Sequence, residues 1–457
     1  MKLKVPHTLV LLFGMMVFAL LLTYVLPQGR FETIENEHGR SVVVPNSYEK
    51  YAEKSLLSFW SLFTILPKAF ADSQGIIFFI FIIGGALAVI KSTGAIDAFL
   101  GKMLEKFGSK PQFLIVSSML VFSIGSSTLG MAEEYLPFTS VLIALCLGMK
   151  MDIVSAVGIM VVGYGVGYGV AAINPFTVMI AQEIAEVPPT SGMWYRLILL
   201  IPFFLVGWHH VQKYAIGVQN DPSKSLMYKV ENHQIHQKTS YPKLTKMHWV
   251  ILILTAFALG LIIYGISNLH WYLNELGAVF FGLAVLVVIV NKMNPSVAAK
   301  AFGIGASELT LTALLIGFAR SIALLLEDGQ VLHTIVNALA IPLQKTGPEL
   351  ASVGMYMIQS MMNFFIPSGS GQAYVTMPLM APIADLTGVS RQIAVLAYQF
   401  GDGFTNMIVP TNPVLMGIIG IAGIPYDKWF KFIIPLMIKF WILGSVALIF
   451  AVWIGYS

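Results

Sequence analysis

The chain has 457 residues, 57% of them apolar and 11% charged, with a formal net charge of only +4. Soluble globular proteins carry about 25% charged residues, and here apolar stretches of 18 or more residues recur from end to end. A soluble enzyme, a nucleic-acid binder and a disordered scaffold are thereby excluded. The single cysteine, Cys146, excludes a disulfide framework or a cysteine-ligated metal centre. The expected fold class is an all-α polytopic membrane protein.

In chain order, the first span is expected over 8–27. Lys2 and Lys4 precede it and no small-residue cleavage pattern follows, so it reads as an uncleaved helix. Further continuous spans are expected at about 75–92, 152–173, 194–212, 248–268, 271–291, 307–326, 391–409 and 429–455, giving about nine crossings. The stretches 95–107 and 329–345 are amphipathic and are expected to lie in the interface. Two long apolar segments, 111–150 and 348–388, are broken near their middles by small polar residues and read as re-entrant hairpins. Basic residues set the orientation. With the N-terminus cytoplasmic, Lys91, Lys102, Lys106, Lys110, the lysines of the loop 213–246, Lys292, Lys300, Lys428 and Lys431 all fall inside. The C-terminus then lies outside.

An internal repeat is the most informative pattern. Lys2-Leu3 with His7 recurs as Lys243-Leu244 with His248, and Lys68-Ala-Phe70 as Lys300-Ala-Phe302. Gly94 and Pro111 match Gly329 and Pro348, and Gly130-Met-Ala-Glu-Glu-Tyr-Leu-Pro137 matches Gly371-Gln-Ala-Tyr-Val-Thr-Met-Pro378. Gly163-Tyr-Gly165 and Asn174-Pro175 match Gly401-Asp-Gly403 and Asn412-Pro413, at an offset drifting only between about 232 and 241. The division is a first repeat over 1–212, a cytoplasmic linker over 213–242 and a second repeat over 243–457. The second half carries one additional span, 271–291, which inverts it relative to the first. Inverted repeats with broken helices near the midplane are a signature of secondary transporters. No Walker A string is present, so ATP hydrolysis by the chain itself is not expected.

Non-helical backbone at membrane depth is tolerated where it is buried in protein or lines a wet cavity. The expected hairpin tips, Ser126-Ser127-Thr128 and Ser368-Gly369-Ser370-Gly371-Gln372, supply hydroxyls, an amide and free backbone groups. The breaks at Asn174-Pro175-Phe176-Thr177 and Thr411-Asn412-Pro413 supply the same kit. Proline frees carbonyls that, with Asn and Thr oxygens, suit a hard monovalent cation such as sodium. Taken singly, such motifs serve equally well for close helix packing; four of them paired by a repeat point to a binding site.

A carboxylate at a helix centre costs about 3 kcal/mol on the insertion scale. Glu133, Glu134 and Asp402 are therefore read as facing a substrate cavity, ligating a cation or a substrate ammonium, or exchanging protons. A cap at the hairpin tip is the alternative for the glutamates. Asn406 lies one turn beyond Asp402 on the same helix face. Arg320 sits near the outer end of its span and is free to snorkel or touch substrate; Glu308 and Lys68 read as interfacial anchors. Val161-Val-Gly-Tyr-Gly165 resembles a potassium filter, yet lies inside a long span where its glycines are expected to loosen the helix. An aspartyl protease would need a second intramembrane aspartate, and Asp427 falls at a helix end. His209 and His210 read as interfacial residues at a helix end.

Gly130-Met-Ala-Glu-Glu134, the Ser-Gly-Ser-Gly-Gln372 tip and Pro410-Thr-Asn-Pro413 resemble the DcuC-like family of anaerobic four-carbon-dicarboxylate carriers. The likeness is greatest to its YfcC branch, labelled as basic amino acid antiporters. The resemblance implies the ion-transporter superfamily architecture: a homodimer in the bacterial inner membrane, with scaffold and transport domains and elevator-like movement. It also implies sodium or proton coupling, with ions near Ser127, Thr128, Asn174 and Thr177, and near Ser368, Ser370, Thr411 and Asn412.

The resulting expectation is a secondary transporter of a small organic ion, with no cofactor beyond Na+ or H+ and no nucleic-acid partner. Three acids without a centred base favour an ammonium-bearing cargo, such as arginine or ornithine, over a dianion. Its binding residues would be Ser127, Thr128, Glu133, Glu134, Asn174, Ser370, Gln372, Asp402, Asn406 and Asn412. Cations would be held by Ser126, Ser127, Asn174, Thr177, Ser368, Ser370, Thr411 and Asn412. A dicarboxylate coupled to cations is the alternative, with a channel or an intramembrane hydrolase more remote.

Overall fold

The computed structural model describes residues 8–35, 41–44, 47–99, 102, 110–174, 176–188, 190–228, 242–269, 271 and 273–457. The end of the amphipathic stretch 95–107 apart from Lys102, Pro175 of the first break and residues 229–241 of the linker lie outside the described residues.

Helix α1 (Thr8–Val25) leads into a long loop, then α2 (Ser61–Asp72), α3 (Gln74–Ser92), α4 (Pro111–Leu129), α5 (Phe138–Gly148), α6 (Ile153–Gly169), α7 (Val178–Ile184) and α8 (Met193–Asn220). After the linker come α9 (Lys246–Leu269), α10 (Leu273–Val290), α11 (Pro295–Ser307), α12 (Thr310–Asp328), α13 (Leu332–Ala340), α14 (Pro348–Phe365), α15 (Gly369–Thr387), α16 (Arg391–Thr405), α17 (Pro413–Ala422) and α18 (Tyr426–Trp453). Local chemistry sets many of these ends. Pro111, Pro295, Pro348 and Pro413 occupy first helical positions, where a missing N–H costs nothing. Asp152, Asn294, Ser368, Ser390 and Asn412 cap the following helices through their side chains.

With the short helix α13 set aside, the element order over 61–220 is repeated over 295–453: two helices, a helix–turn–helix pair, a helix broken before a short continuation, and a long last helix. Those last helices, α8 and α18, each have 28 residues with a proline at the tenth, Pro202 and Pro435. Helices α9 and α10 precede the second series. Among the described residues, five helices are long and apolar enough to cross a bilayer: Gln74–Ser92, Pro111–Thr128, Met193–Asn220, Leu273–Val290 and Tyr426–Trp453. The second of these was expected as the arm of a hairpin.

Two groups of helices pack together. In one, α12 packs on α1 and α2, α3 on α10 and α11, and α9 on α10. In the other, α6 packs on α4, α5, α8 and α16, while α16 also packs on α14, α15 and α18. At the centre of the second group every residue of α6 except Tyr168 is buried, so that helix is apolar all round because protein surrounds it. The two groups meet at α12 and α17.

The loop 28–55 forms two small antiparallel ladders, β1 (Gly29–Arg30) with β4 (Glu49–Lys50) and β2 (Thr33–Glu35) with β3 (Ser41–Val43). Its base is pinned to the start of α13. Gln28 Nε2 donates to the Gly329 carbonyl (3.0 Å), Phe31 N–H donates to His333 Nδ1 (3.1 Å), and Tyr48 bonds Thr334 (2.7 Å). Strand β3 lies against α15.

Candidate functional site

The residues singled out from sequence fall into two clusters. The first joins the end of α4 to the break after α6. Ser126–Thr128 are not at a tip: they are helical, and the chain turns at Gly130 (φ +73°) and a short 3-10 turn, Glu133–Tyr135. The physical reason is that serine and threonine continue a helix by bonding back to it, and Thr128 Oγ1 donates to the Ile124 carbonyl (2.7 Å). Ser126 Oγ donates to the Met131 carbonyl (2.6 Å), closing the turn. Ser127 Oγ accepts from Ala172 N–H (3.0 Å), and Asn174 Nδ2 donates to the Ser126 carbonyl (3.3 Å). The hydroxyls and amide thus hold the turn to the break. Gly130 makes this possible, since a Cβ there would sit 2.6 Å from Asn174 Oδ1. Glu134 Oε2 accepts from Ala132 N–H (2.9 Å) inside the same turn, whereas Glu133 lies near Tyr164 of α6.

The second cluster surrounds Asp402, which is fully buried in the last turn of α16. Its Oδ1 accepts from Asn363 Nδ2 (2.9 Å) and Asn406 Nδ2 (3.3 Å). Asn412 Nδ2 donates to Asn406 Oδ1 (2.7 Å), and Asn363 also reaches Gln372 Oε1 (3.4 Å). Gln372 donates to the carbonyl and side chain of Gln359, which Thr376 also bonds. Across the molecule, Gln399 donates to the Tyr168 carbonyl and to Thr177 Oγ1 (3.1 Å), and Tyr398 donates to the Gly369 carbonyl (2.7 Å). A Cβ on Gly369 would lie 2.5 Å from Thr177, 3.0 Å from the Tyr168 hydroxyl and 3.1 Å from Asp402 Oδ2. The turn before α15, the break after α6 and Asp402 therefore converge on one point.

Three buried oxygens in this network have no hydrogen-bond donor, Asp402 Oδ2, Asn363 Oδ1 and Gln399 Oε1; the Thr411 hydroxyl, next to Asn412 in the chain, has no partner either, and the Gln359 Nε2 donor has no acceptor. Each unsatisfied buried group costs about 1–3 kcal/mol, and more where it is charged. No Lys, Arg or His bonds Asp402 among the described residues. An array rich in acceptors and lacking a base is suited to a cation, an N–H donor or a proton.

Asp402, Asn406, Asn412, Gln372 and Thr177 are thus brought together, with Thr411 next to Asn412 in the chain, while Ser126, Ser127 and Asn174 belong to the other cluster. Ser368 caps α15 from an exposed position, and Ser370 is half-buried in its first turn. The expectations for Arg320 and for the helix-end placement of His209 and His210 are corrected. Arg320 pairs with Asp72 (2.5 Å) and Glu327 (3.6 Å), beside the exposed Lys68–Asp328 pair, so it ties α12 to α2 and is away from Asp402's network. Glu308 lines a cavity of about 440 Å3 with Lys91 and Asp97, between the two helix groups. His209 and His210 lie well inside α8, and His210 Nε2 bonds the Phe432 carbonyl (2.9 Å), because the helix runs on past them to Asn220. Sequence reasoning missed Asn363, Gln359, Gln399 and Tyr168. Gln359 and Asn363 form a four-residue polar spacing on α14, and Gln399, Asp402 and Asn406 a matching stripe on α16; that periodicity was the available signal.

Apolar helices packed around a buried polar network are the make-up of a polytopic membrane protein. The family model described as C4-dicarboxylate anaerobic carrier, DcuC, matches residues 5–453, and the chain belongs to that family. It is 30% identical to the Escherichia coli K12 protein named "Putative basic amino acid antiporter YfcC", over 99% of this chain and 97% of that one. It is 26% identical to an uncharacterized Haemophilus influenzae protein, over 90% and 81% of the two chains. Among solved structures, the Alcanivorax borkumensis YdaH transporter aligns over 99% of both chains at 15% identity and a TM-score of 0.44. Neisseria gonorrhoeae MtrF, titled as one of a class of antimetabolite efflux pumps, aligns over 98% and 95% at 17% identity and 0.41.

Proposed function

We propose that the chain is a secondary active transporter of a small organic ion, with an amino acid carrying a side-chain cation, such as arginine or ornithine, as its cargo. The observation that carries this reading is the unpaired Oδ2 of buried Asp402 among donor-less oxygens and no basic side chain. A substrate ammonium or guanidinium supplies the missing donors. A coupling Na+ or H+ satisfies the same array in the alternate step, with Thr411, Asn412 and Thr177 as oxygen ligands. The name of the 30% identical relative supports the same class.

The wider scheme follows the sequence pattern. Residues 1–212 and 243–457 are inverted repeats, the pairs α4–α5 and α14–α15 are re-entrant, and about nine segments cross the bilayer. The N-terminus is cytoplasmic, the C-terminus is outside, and the protein is an inner-membrane homodimer. The helix group holding α6 and α16 moves against the other, in an elevator-like alternation of access. The parallel order of elements on either side of the linker supports the repeat.

A dicarboxylate cargo with coupled cations is the second reading, favoured by the family's printed description. Uptake into proteoliposomes of labelled arginine against labelled succinate, with Na+ and H+ gradients imposed in turn, separates the two. Arginine uptake or counterflow is expected; succinate uptake alone would favour the second reading, and movement of neither would remove the substrate class.

A further inference from the structure

Away from Asp402, a cavity of about 520 Å3 lies between α3, α9 and α10 on one side and α4 with the turn that follows it on the other. Such a volume is within the range that holds a small organic ligand. Five aromatic rings line it: Phe79, Phe122, Tyr135, Phe138 and Phe280. Glu134 is the one ionisable carboxylic acid in its wall, and no basic residue lines it. The Tyr135 hydroxyl is turned back to the Phe122 carbonyl (3.0 Å). The Glu134 carboxylate accepts from Ala132 N–H at Oε2 (2.9 Å) and also takes a hydrogen bond from its own backbone N–H.

The other polar groups in the wall are mostly spent. Ser117 donates to the Phe113 carbonyl (2.6 Å) and Thr128 to the Ile124 carbonyl (2.7 Å), each within its own helix. A ligand carboxylate would find no positive partner here. A bare alkali ion would find too few oxygens, since hard cations take several. An organic ammonium finds both things it needs, ring faces for cation–π attraction and a carboxylate in a low-dielectric wall.

We infer that this cavity binds an organic ammonium that carries apolar substituents and no carboxylate. It is a second site, chemically distinct from the acceptor-rich network at Asp402, and it stands whatever cargo that network takes. Its occupant touches both helix groups, α3 and α10 on one side and the Glu134 turn on the other.

Equilibrium dialysis of the purified full chain in lipid nanodiscs tests the site, with radiolabelled benzyltrimethylammonium as probe and neopentylbenzene as its uncharged twin. Saturable binding is expected, weakened at least tenfold by Glu134→Gln and at least threefold by Phe280→Leu, but unchanged by Asp402→Asn. Neopentylbenzene and excess arginine are expected to displace the probe poorly. Should Glu134→Gln fail to fold, Phe280→Leu carries the test, because that ring lies on α10, away from the hydrogen bonds of the turn. Absent binding, equal affinity in the folded Glu134→Gln or in Phe280→Leu, loss in Asp402→Asn, or ready displacement by arginine would each overturn the assignment. Arginine uptake is read in a separate assay, so failure here leaves the transport reading intact.

Discussion

At the scale of single residues, two kinds of position decide how this chain works: a carboxylate with too few donors, and glycines where helices nearly touch. Asp402 keeps one oxygen unpaired in the interior. Asp402→Asn retains the acceptor that Asn363 bonds and removes an uncompensated charge. Coupled uptake is expected to vanish in proteoliposomes, while the thermal midpoint holds or rises, since trading a buried charge for a neutral group of like shape is often neutral or stabilising. Normal uptake by this variant would remove the residue from the site. The glycines of α6 divide between two faces. A Cβ on Gly167 would stand 2.0 Å from the Ser123 carbonyl oxygen and one on Gly163 3.1 Å from Met119, both on α4; Gly165 and Gly169 face Met407 and Phe404 instead. The string that resembles a potassium filter is therefore a pair of close-packing faces. Gly167→Ala is expected to cost at least about 2 kcal/mol through forced backbone separation, and more than Gly163→Ala; melting curves that reverse this order would contradict it.

At the scale of elements, Asp152 fastens the N-terminus of α6, and His333 is one of several groups that hold the loop 28–55. Asp152 Oδ1 accepts from Ser155 N–H (2.8 Å), and its Oδ2 accepts from Tyr214 and Ser225 hydroxyls (both 2.6 Å). It caps α6 and holds the start of the linker against α8. Asp152→Ala leaves these donors unmatched, at a cost of about 1–3 kcal/mol. Trypsin is then expected to cleave after Lys224 faster than in the parent chain; equal rates would show that the fastening is elsewhere. In the loop, His333 must be unprotonated at Nδ1 to accept from Phe31. Burial, and secondarily the charge of Arg30, push its proton affinity below that of a free histidine. Once the loop is released, His333 of α13 therefore binds the proton more tightly, so the loop's attachment is at full strength above the ordinary histidine value of 6.5 and weakens as pH drops below it. Proteolysis of the loop at its basic residues is expected to accelerate between pH 7 and pH 5, and His333→Gln to flatten that dependence.

At the scale of the whole molecule, two helix groups meet along a boundary that contains two cavities. Leu309 and Ile421 line the smaller one from opposite groups. If one group travels past the other, a thiol cross-linker spanning Leu309→Cys and Ile421→Cys, in a Cys146→Ser background, should lower uptake at least tenfold, with recovery on reduction. Undiminished uptake with complete cross-linking would argue for a fixed boundary. Much of the plan was legible from residue order. Local signals such as Pro111, Pro348 and Pro413 at helix starts, and the repeated strings around Gly130 and Gly371, depend on short-range geometry alone. The membrane class follows from composition and the sharing of one helix face by Asp402 and Asn406 from spacing, whereas the family follows from the resemblance of the strings around Gly130, Gln372 and Asn412. Pairing across hundreds of residues does not. That Gln399 reaches Tyr168 and Thr177, that Gly369 abuts Asp402, and that Arg320 is neutralised by Asp72 depend on which helices pack together. So does the split of Glu134 from Asp402 into separate surroundings. A sequence period tells which residues share a face of one helix. Which other helix that face meets depends on where small residues such as Gly167 and Gly403 let backbones approach, and only the packed structure decides that.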